Sequence, residues 1–302
     1  MIVIMELHQL RYALAVAEEG SFTRAAASCL VAQPALSQQI GRLEKDLGAR
    51  LFDRSVRPTR LTAAGEAFVP QARVLLAGAE RLRTHVEAAV GEIRGPLHLG
   101  AISTLAAVNL PAILRGYRTQ YPHVHVSLRM GMSEELLESV RQGTLHAAFV
   151  GTVPTARLDG VQQCELAQEE LVAVTAPGHR LGTDIPEGGR AELAQIAREP
   201  GVDFTRGTGA RLQSDTAFNA QGLDREVIFE VSTAEFLAQL VAEGLGVGML
   251  PESVAHTFPG LRVIRLHAPP MRVESLVWPL GHCTPATEAF IEVVTPGDIA
   301  RP

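Results

Sequence analysis

Residues 21–62, SFTRAAASCLVAQPALSQQIGRLEKDLGARLFDRSVRPTRLT, decide how the rest of the chain is read. Ser21 is placed to cap a short helix, because its hydroxyl accepts a bond from an orphan first-turn amide. Phe22, Ala25, Ala26 and Cys29 give that helix an apolar face at helical spacing. Small Ala25 and Ala26 let a second helix cross closely, and Leu30-Val31-Ala32 suits the turn between them. Pro34 suits the first turn of the second helix, where its missing N–H costs nothing. Leu36, Ile40, Leu43 and Leu47 then make one buried stripe, and Gly48 ends the helix.

Gln33, Ser37, Gln38 and Arg42 lie off that stripe. Such a face is what a helix needs to read base edges: Gln pairs at two points with adenine, Arg with guanine, Ser with either. Arg50, Arg54, Arg57 and Arg60 follow along an expected two-stranded wing, where arginines suit phosphate contacts. A small helical bundle with a solvated polar face is the alternative. Helix, turn, polar helix and arginine wing together favour nucleic acid.

The segments Leu7-x-x-Leu10-Arg11-Tyr12, Gly20-Ser21-Phe22-Thr23-Arg24-Ala25-Ala26, Gln33-Pro34-Ala35-Leu36-Ser37-Gln38-Gln39-Ile40, Leu43-Glu44, Leu47-Gly48, Leu51-Phe52-Asp53-Arg54 and Leu61-Thr62-x-x-Gly65 resemble the signature of LysR-type transcriptional regulators. The resemblance implies an α/β chain with an N-terminal winged helix-turn-helix over residues 1–62 and a linker and dimerisation helix with hinge over 63–94. A bilobed sensor similar to type 2 periplasmic binding proteins would follow. Lobe one would span 95–164, lobe two 165–268, and 269–302 would return to lobe one, with crossings near 161–167 and 267–271. The implied DNA contacts are Ser21, Thr23, Arg24, Gln33, Pro34, Ser37, Gln38, Arg42, Arg54, Arg57 and Arg60. Operator DNA, a small-molecule inducer, a dimer or tetramer and, for an activator, RNA polymerase are the implied partners. Two positions depart from the family pattern. Gly41 stands inside the reading helix, and His146 stands where many members carry Asp.

Composition agrees with several domains: 302 residues, 46% hydrophobic. The net charge of −6 is unevenly placed. Residues 1–62 hold eight Lys+Arg against six Asp+Glu, and the remainder 19 against 27. An acidic remainder is kept off the DNA backbone. Cys29, Cys164 and Cys283 are far apart and read as small buried hydrophobes. No metal-ligand spacing, P-loop or Ser-His-Asp order is present, so no metal, cofactor or enzymatic activity is expected. With no signal peptide or apolar run of spanning length visible, a cytoplasmic location is expected.

Thr62 is expected to cap a helix reaching Val90. Phe68, Ala72, Leu75, Ala79, Leu82 and Val86 step along it by alternating 4 and 3, a heptad seam that calls for a partner helix. Beyond it, strands expected at 97–102, 124–130 and 147–150 alternate with helices at 105–120 and 134–142, which predicts a parallel sheet. A second set follows, with strands at 170–176, 202–205, 227–231, 244–251, 261–266 and 272–278. Its helices are expected at 191–197, 210–221, from 232–233 to 243, and at 285–294. Ligands bind beyond the carboxyl ends of such strands. Ser103, Thr104, Ser133, Thr205, Ser232 and Thr233 put hydroxyls there, beside helix N-termini that favour an anion. Met130, Met132, Phe149 and Phe204 complete the expected effector site, and a small carboxylate is the expected inducer class. A solute-binding transport protein and an enzyme fused to a DNA reader are the rivals. The first needs export and the second a catalytic constellation.

Overall fold

The computed structural model describes residues 5–89, 92–281 and 283–295. The expected helix end at Val90 and the tail beyond Thr295 lie outside them. The chain divides near residue 92 into two compact units.

The first unit contains α1 (Leu7–Glu19), α2 (Phe22–Ser28), α3 (Gln33–Leu47), β1 (Phe52–Asp53), β2 (Arg60–Leu61) and α4 (Ala63–Ala89). Leu36, Ile40 and Leu43 of α3 are fully buried against Ala13, Val16, Ala25 and Ala26. Burial of each such aliphatic side chain contributes roughly 1.5–3 kcal/mol. The alanines are where the helices cross. The Ser21 hydroxyl caps α2 by accepting from the Arg24 amide, and Gly48 ends α3 in the left-handed region at φ 68°. Thr62 accepts from the Gly65 amide at 3.1 Å and donates to the Arg50 carbonyl at 2.6 Å, so it starts α4 and holds the wing. Gly65 is required there: a Cβ would lie 2.2 Å from the Leu51 carbonyl oxygen.

The expected seam on α4 is split. Ala72 is buried, and with Phe68 it packs against Leu10 and Leu14 of α1. These two residues therefore pack into the core of their own domain. That contact ends at Leu76. Beyond it α1 offers no cover, and Leu82 and Val86 stay 69% and 62% exposed.

The second unit is built on one sheet in the order β4-β3-β5-β12-β6-β10-β8-β9. Its lobe-one strands are β3 (Gly95–Ala101), β4 (Val124–Met130) and β5 (Ala147–Thr152), mutually parallel about β3, and β12 (Met271–Pro279), antiparallel to β5. Helices α5 (Leu110–Gln120), α6 (Ser133–Arg141) and α12 (Pro285–Val294) cover it. Lobe two contains β8 (Gly201–Phe204), β9 (Val227–Val231), β10 (Val247–Pro251) and β11 (Arg262–Leu266), with α9 (Gly209–Ala220), α10 (Ala234–Ala242) and α11 (Glu252–Ala255). Short α7 (Arg180–Asp184), β7 (Arg190–Ala191) and α8 (Leu193–Ile196) occupy the stretch expected as a connection and one short helix.

The lobes are joined by β6 (Val161–Thr175), which is longer than the expected strand. Residues 161–170 pair with β12, and from Leu171 the strand pairs with β10 and then β11. The crossing expected at 161–167 is thus the inside of one strand, and partners change between Glu170 and Leu171. The return crossing lies between β11 and β12, as expected.

Two local expectations fail. The helix expected from Leu105 begins at Leu110, because Asn109 accepts from the Ala112 amide and Pro111 fills the first turn. Ser103 and Thr104 therefore lie in a turn, not at a helix start. Ser133 does not cap α6 either. Its hydroxyl donates to the Gly151 carbonyl at 2.9 Å and accepts from the Gly151 amide at 3.1 Å, tying α6 to β5.

Candidate functional site

The stripe Leu36, Ile40, Leu43 points inward, so α3 presents Gln33, Pro34, Gln38 and Arg42 to solvent with Ser37 half-buried. Thr23 and Arg24 of α2 are also exposed, and Arg24 pairs with Glu19 at 3.1 Å. The side chains of Arg42, Arg57 and Arg60 form no hydrogen bond or ion pair among the described residues. Arg54 differs. It pairs with Glu44 at 3.0 Å, donates to the Ser37 hydroxyl at 3.3 Å and lies 4.6 Å over the Phe22 ring. Glu44 in turn accepts from the Leu51 and Phe52 amides. Arg54 and Glu44 thus hold the wing against α3, which motif reading alone did not reveal.

The second candidate is the cleft between the lobes. Its lining includes Ser103, Thr104, Met132 and Ser133 of lobe one, Phe204, Ala210 and Gln213 of lobe two, and Arg272 at the crossing. Five of the ten expected effector residues are brought together here. Phe149 is not: it is fully buried in the lobe-one core, edge-on to Phe290, because β5 is covered on both faces. Met130 is exposed on the edge strand β4. Thr205 bonds the Val231 carbonyl, and Thr233 spends its hydroxyl capping α10 at the Phe236 amide. Exposed Ser232 is outside the lining as well. The cavity is only about 20 Å³, room for about one water.

The floor of the cleft on the lobe-one side is a buried charge cluster absent from the sequence reading. Arg272, 2% exposed, donates to the Thr104 hydroxyl at 2.7 Å and the Thr104 carbonyl at 2.6 Å. It pairs with Glu169 at 2.9 Å and with Glu274. Burial pulls the Arg272 pKa down to about 10, against the supporting charge of Glu169. The buried Glu274 carboxylate also accepts from the Ala106 amide at 3.1 Å and the Ala107 amide at 2.8 Å. The backbone donors expected to welcome a ligand anion beside Ser103 and Thr104 are therefore filled by the protein's own carboxylate.

Lobe two is arranged differently. The Thr208 side chain caps α9 at the Arg211 amide, while the Gly209 and Ala210 amides bond no acceptor among the described residues. Gln213, one turn on, is 4% exposed, lines the cavity and forms no hydrogen bond among the described residues. An ion network fixes this helix end. Arg211 donates to Asp215 at 2.9 Å and to the Phe204 carbonyl at 3.2 Å, and Arg225 pairs with Asp203 at 2.5 Å and Asp215 at 2.6 Å. Burial pushes the Asp203 carboxyl up, despite the Arg225 and Arg211 guanidiniums beside it. First-turn amides lack an intrahelical partner in any helix. Here Gly209 is buried, and Ala210 and Gln213 line the cavity beside it, which leaves donors that an anion could take.

Comparison with known proteins matches both parts of the chain. The family described as "Bacterial regulatory helix-turn-helix protein, lysR family" matches residues 7–66, and "LysR substrate binding domain" matches 91–297. The chain is 32% identical over 296 residues to the uncharacterized HTH-type transcriptional regulator YnfL of Escherichia coli, covering 95% of this chain and 96% of that protein. It is 32% identical over 300 residues to the HTH-type transcriptional regulator IlvR of Caulobacter vibrioides, covering 96% and 98%. Among solved structures, full-length CbnR complexed with its target DNA aligns at TM-score 0.66 and 29% identity, covering 96% of this chain and 99% of that one. Full-length OxyR from Pseudomonas aeruginosa, in a variant form, aligns at TM-score 0.73 and 26% identity, covering 96% and 95%. The matched helix-turn-helix carries the exposed polar face of α3, and the matched substrate-binding domain carries the cleft. The chain belongs to the LysR family of DNA-binding transcriptional regulators.

Proposed function

We propose that Ser37, Gln38 and Arg42 read base edges of a two-fold-related operator while Arg57 and Arg60 hold its phosphates. Ser21, Thr23, Arg24, Gln33 and Pro34 flank this surface, and the exposed edge of Arg54 adds a phosphate contact. The observation that carries the reading is the exposed polar face of α3, next to the exposed Arg57 and Arg60, which form no hydrogen bond or ion pair among the described residues. Two readers are joined by pairing of the uncovered half of α4 through Leu75, Ala79, Leu82 and Val86, giving a dimer or a tetramer built from dimers. A small carboxylate-bearing effector occupies the interlobe cleft. The open amides of Gly209 and Ala210 support the anion, which moves the anchor from the lobe-one hydroxyls to lobe two. The effector shifts operator binding only through unequal affinity for two lobe arrangements.

Binding to the DNA upstream of the protein's own gene, measured against random DNA over a salt series, tests the reader. Gln38→Ala is expected to relax discrimination by about 1–3 kcal/mol at its base. Arg57→Ala is expected to weaken all sequences alike and to shallow the salt slope by about one. Equal losses on specific and random DNA for both variants would remove α3 from the reading role.

A further inference from the structure

The groups around the α9 N-terminus narrow the chemistry of the effector, on the reading that this cleft is the effector site. Glu134 stands in the first turn of α6, which the Ser133–Gly151 bonds fix in place. Its carboxylate reaches across the cleft to lobe two. A Cβ placed on Gly209 would lie 2.6 Å from Glu134 Oε1. A negative charge of lobe one is therefore held beside the point in lobe two that recruits negative charge. Arg272 does not offset it, because Glu169 and Glu274 already share that guanidinium. Among the described residues no other cationic side chain lines the cavity.

A plain carboxylate on the Gly209 and Ala210 amides would meet Glu134 as a like charge, which disfavours both ionised groups. A ligand with an ammonium next to its carboxylate satisfies both sides. The carboxylate accepts from the α9 amides, the ammonium donates to Glu134, and the unpartnered Gln213 amide supplies a further donor and acceptor. We propose that the effector is a small zwitterion of the α-amino-acid kind, anchored by its carboxylate on α9 and by its ammonium on Glu134. The present cavity is too small for it, so the lobes part to admit it. A ligand touching α6 of lobe one and α9 of lobe two then sets their spacing.

Thermal unfolding of the full-length protein tests this with two parallel panels, the proteinogenic α-amino acids and the matching 2-hydroxy acids. At least one amino acid is expected to raise the Tm while its hydroxy acid does not. Glu134→Gln, with each Tm shift read against the variant's own unliganded Tm, is expected to weaken that amino acid about tenfold or more, the size of a lost charge-assisted bond. A hydroxy acid that stabilises as well as its amino acid, or one that binds tighter in Glu134→Gln, would overturn the zwitterion and leave an anionic effector standing. No shift with any member of either panel would overturn both.

Discussion

The two lobes of the sensor face each other with opposite solutions to one problem. Each brings a turn with outward backbone amides toward the cleft. Lobe one fills its turn internally: Glu274 takes the Ala106 and Ala107 amides, and Arg272 takes Thr104. In lobe two the Gly209 and Ala210 amides and the Gln213 side chain form no hydrogen bond among the described residues. The difference teaches that a turn rich in hydroxyls at a strand end is not yet a binding site. What counts is which donors remain after the protein has satisfied its own groups.

This contrast makes the lobes respond differently to substitution. Arg272→Met is expected to cost the most. It leaves Glu169 and Glu274 facing each other without their shared cation, and breaking such a buried pair costs about 3–5 kcal/mol, readable as a lower urea midpoint. Glu274→Gln keeps the shape and one acceptor but loses the charge, with an expected cost of about 1–3 kcal/mol. On the lobe-two side, Gln213→Leu removes a side-chain amide that lines the cavity and forms no hydrogen bond among the described residues. It is expected to be neutral or stabilising by up to about 1 kcal/mol while abolishing the effector response. Destabilisation by Gln213→Leu as large as that of Glu274→Gln would erase the distinction between the lobes.

A smaller effect is expected in the reader. Gly41 is exposed on α3, and nothing lies within 4 Å of an added Cβ. Gly41→Ala should raise stability by about 1 kcal/mol through helix propensity, checked by thermal unfolding. A loss of operator affinity in the same variant would mean that DNA backbone passes close to that position.

The reader was legible in the sequence because its parts are contiguous. Cap, crossing alanines, buried stripe and stop all act within a few turns, so spacing alone places Ser21, Leu36 and Gly48 correctly. The role of Arg54 was not legible, since its contact with Phe22 depends on how the wing folds back. The sensor's strands were legible as apolar runs. The face each residue takes was not, because β5 is buried on both sides and offers no alternation to separate Phe149 from a cleft residue. The cleft chemistry was least legible. Arg272 meets Thr104 across 168 residues of sequence, through a crossing strand whose pairing no local pattern reveals. The heptad spacing on α4 is visible in the sequence, but a period does not say which of its turns α1 will cover.

Amide hydrogen exchange resolved by residue in the full-length protein tests the central claim most directly, and it needs no ligand. The Ala106 and Ala107 amides, bonded to a buried carboxylate, should be strongly protected, while those of Gly209 and Ala210 should exchange much faster. Protection of Gly209 and Ala210 equal to or above that of Ala106 and Ala107 would contradict the claim that lobe two holds the open half of the site.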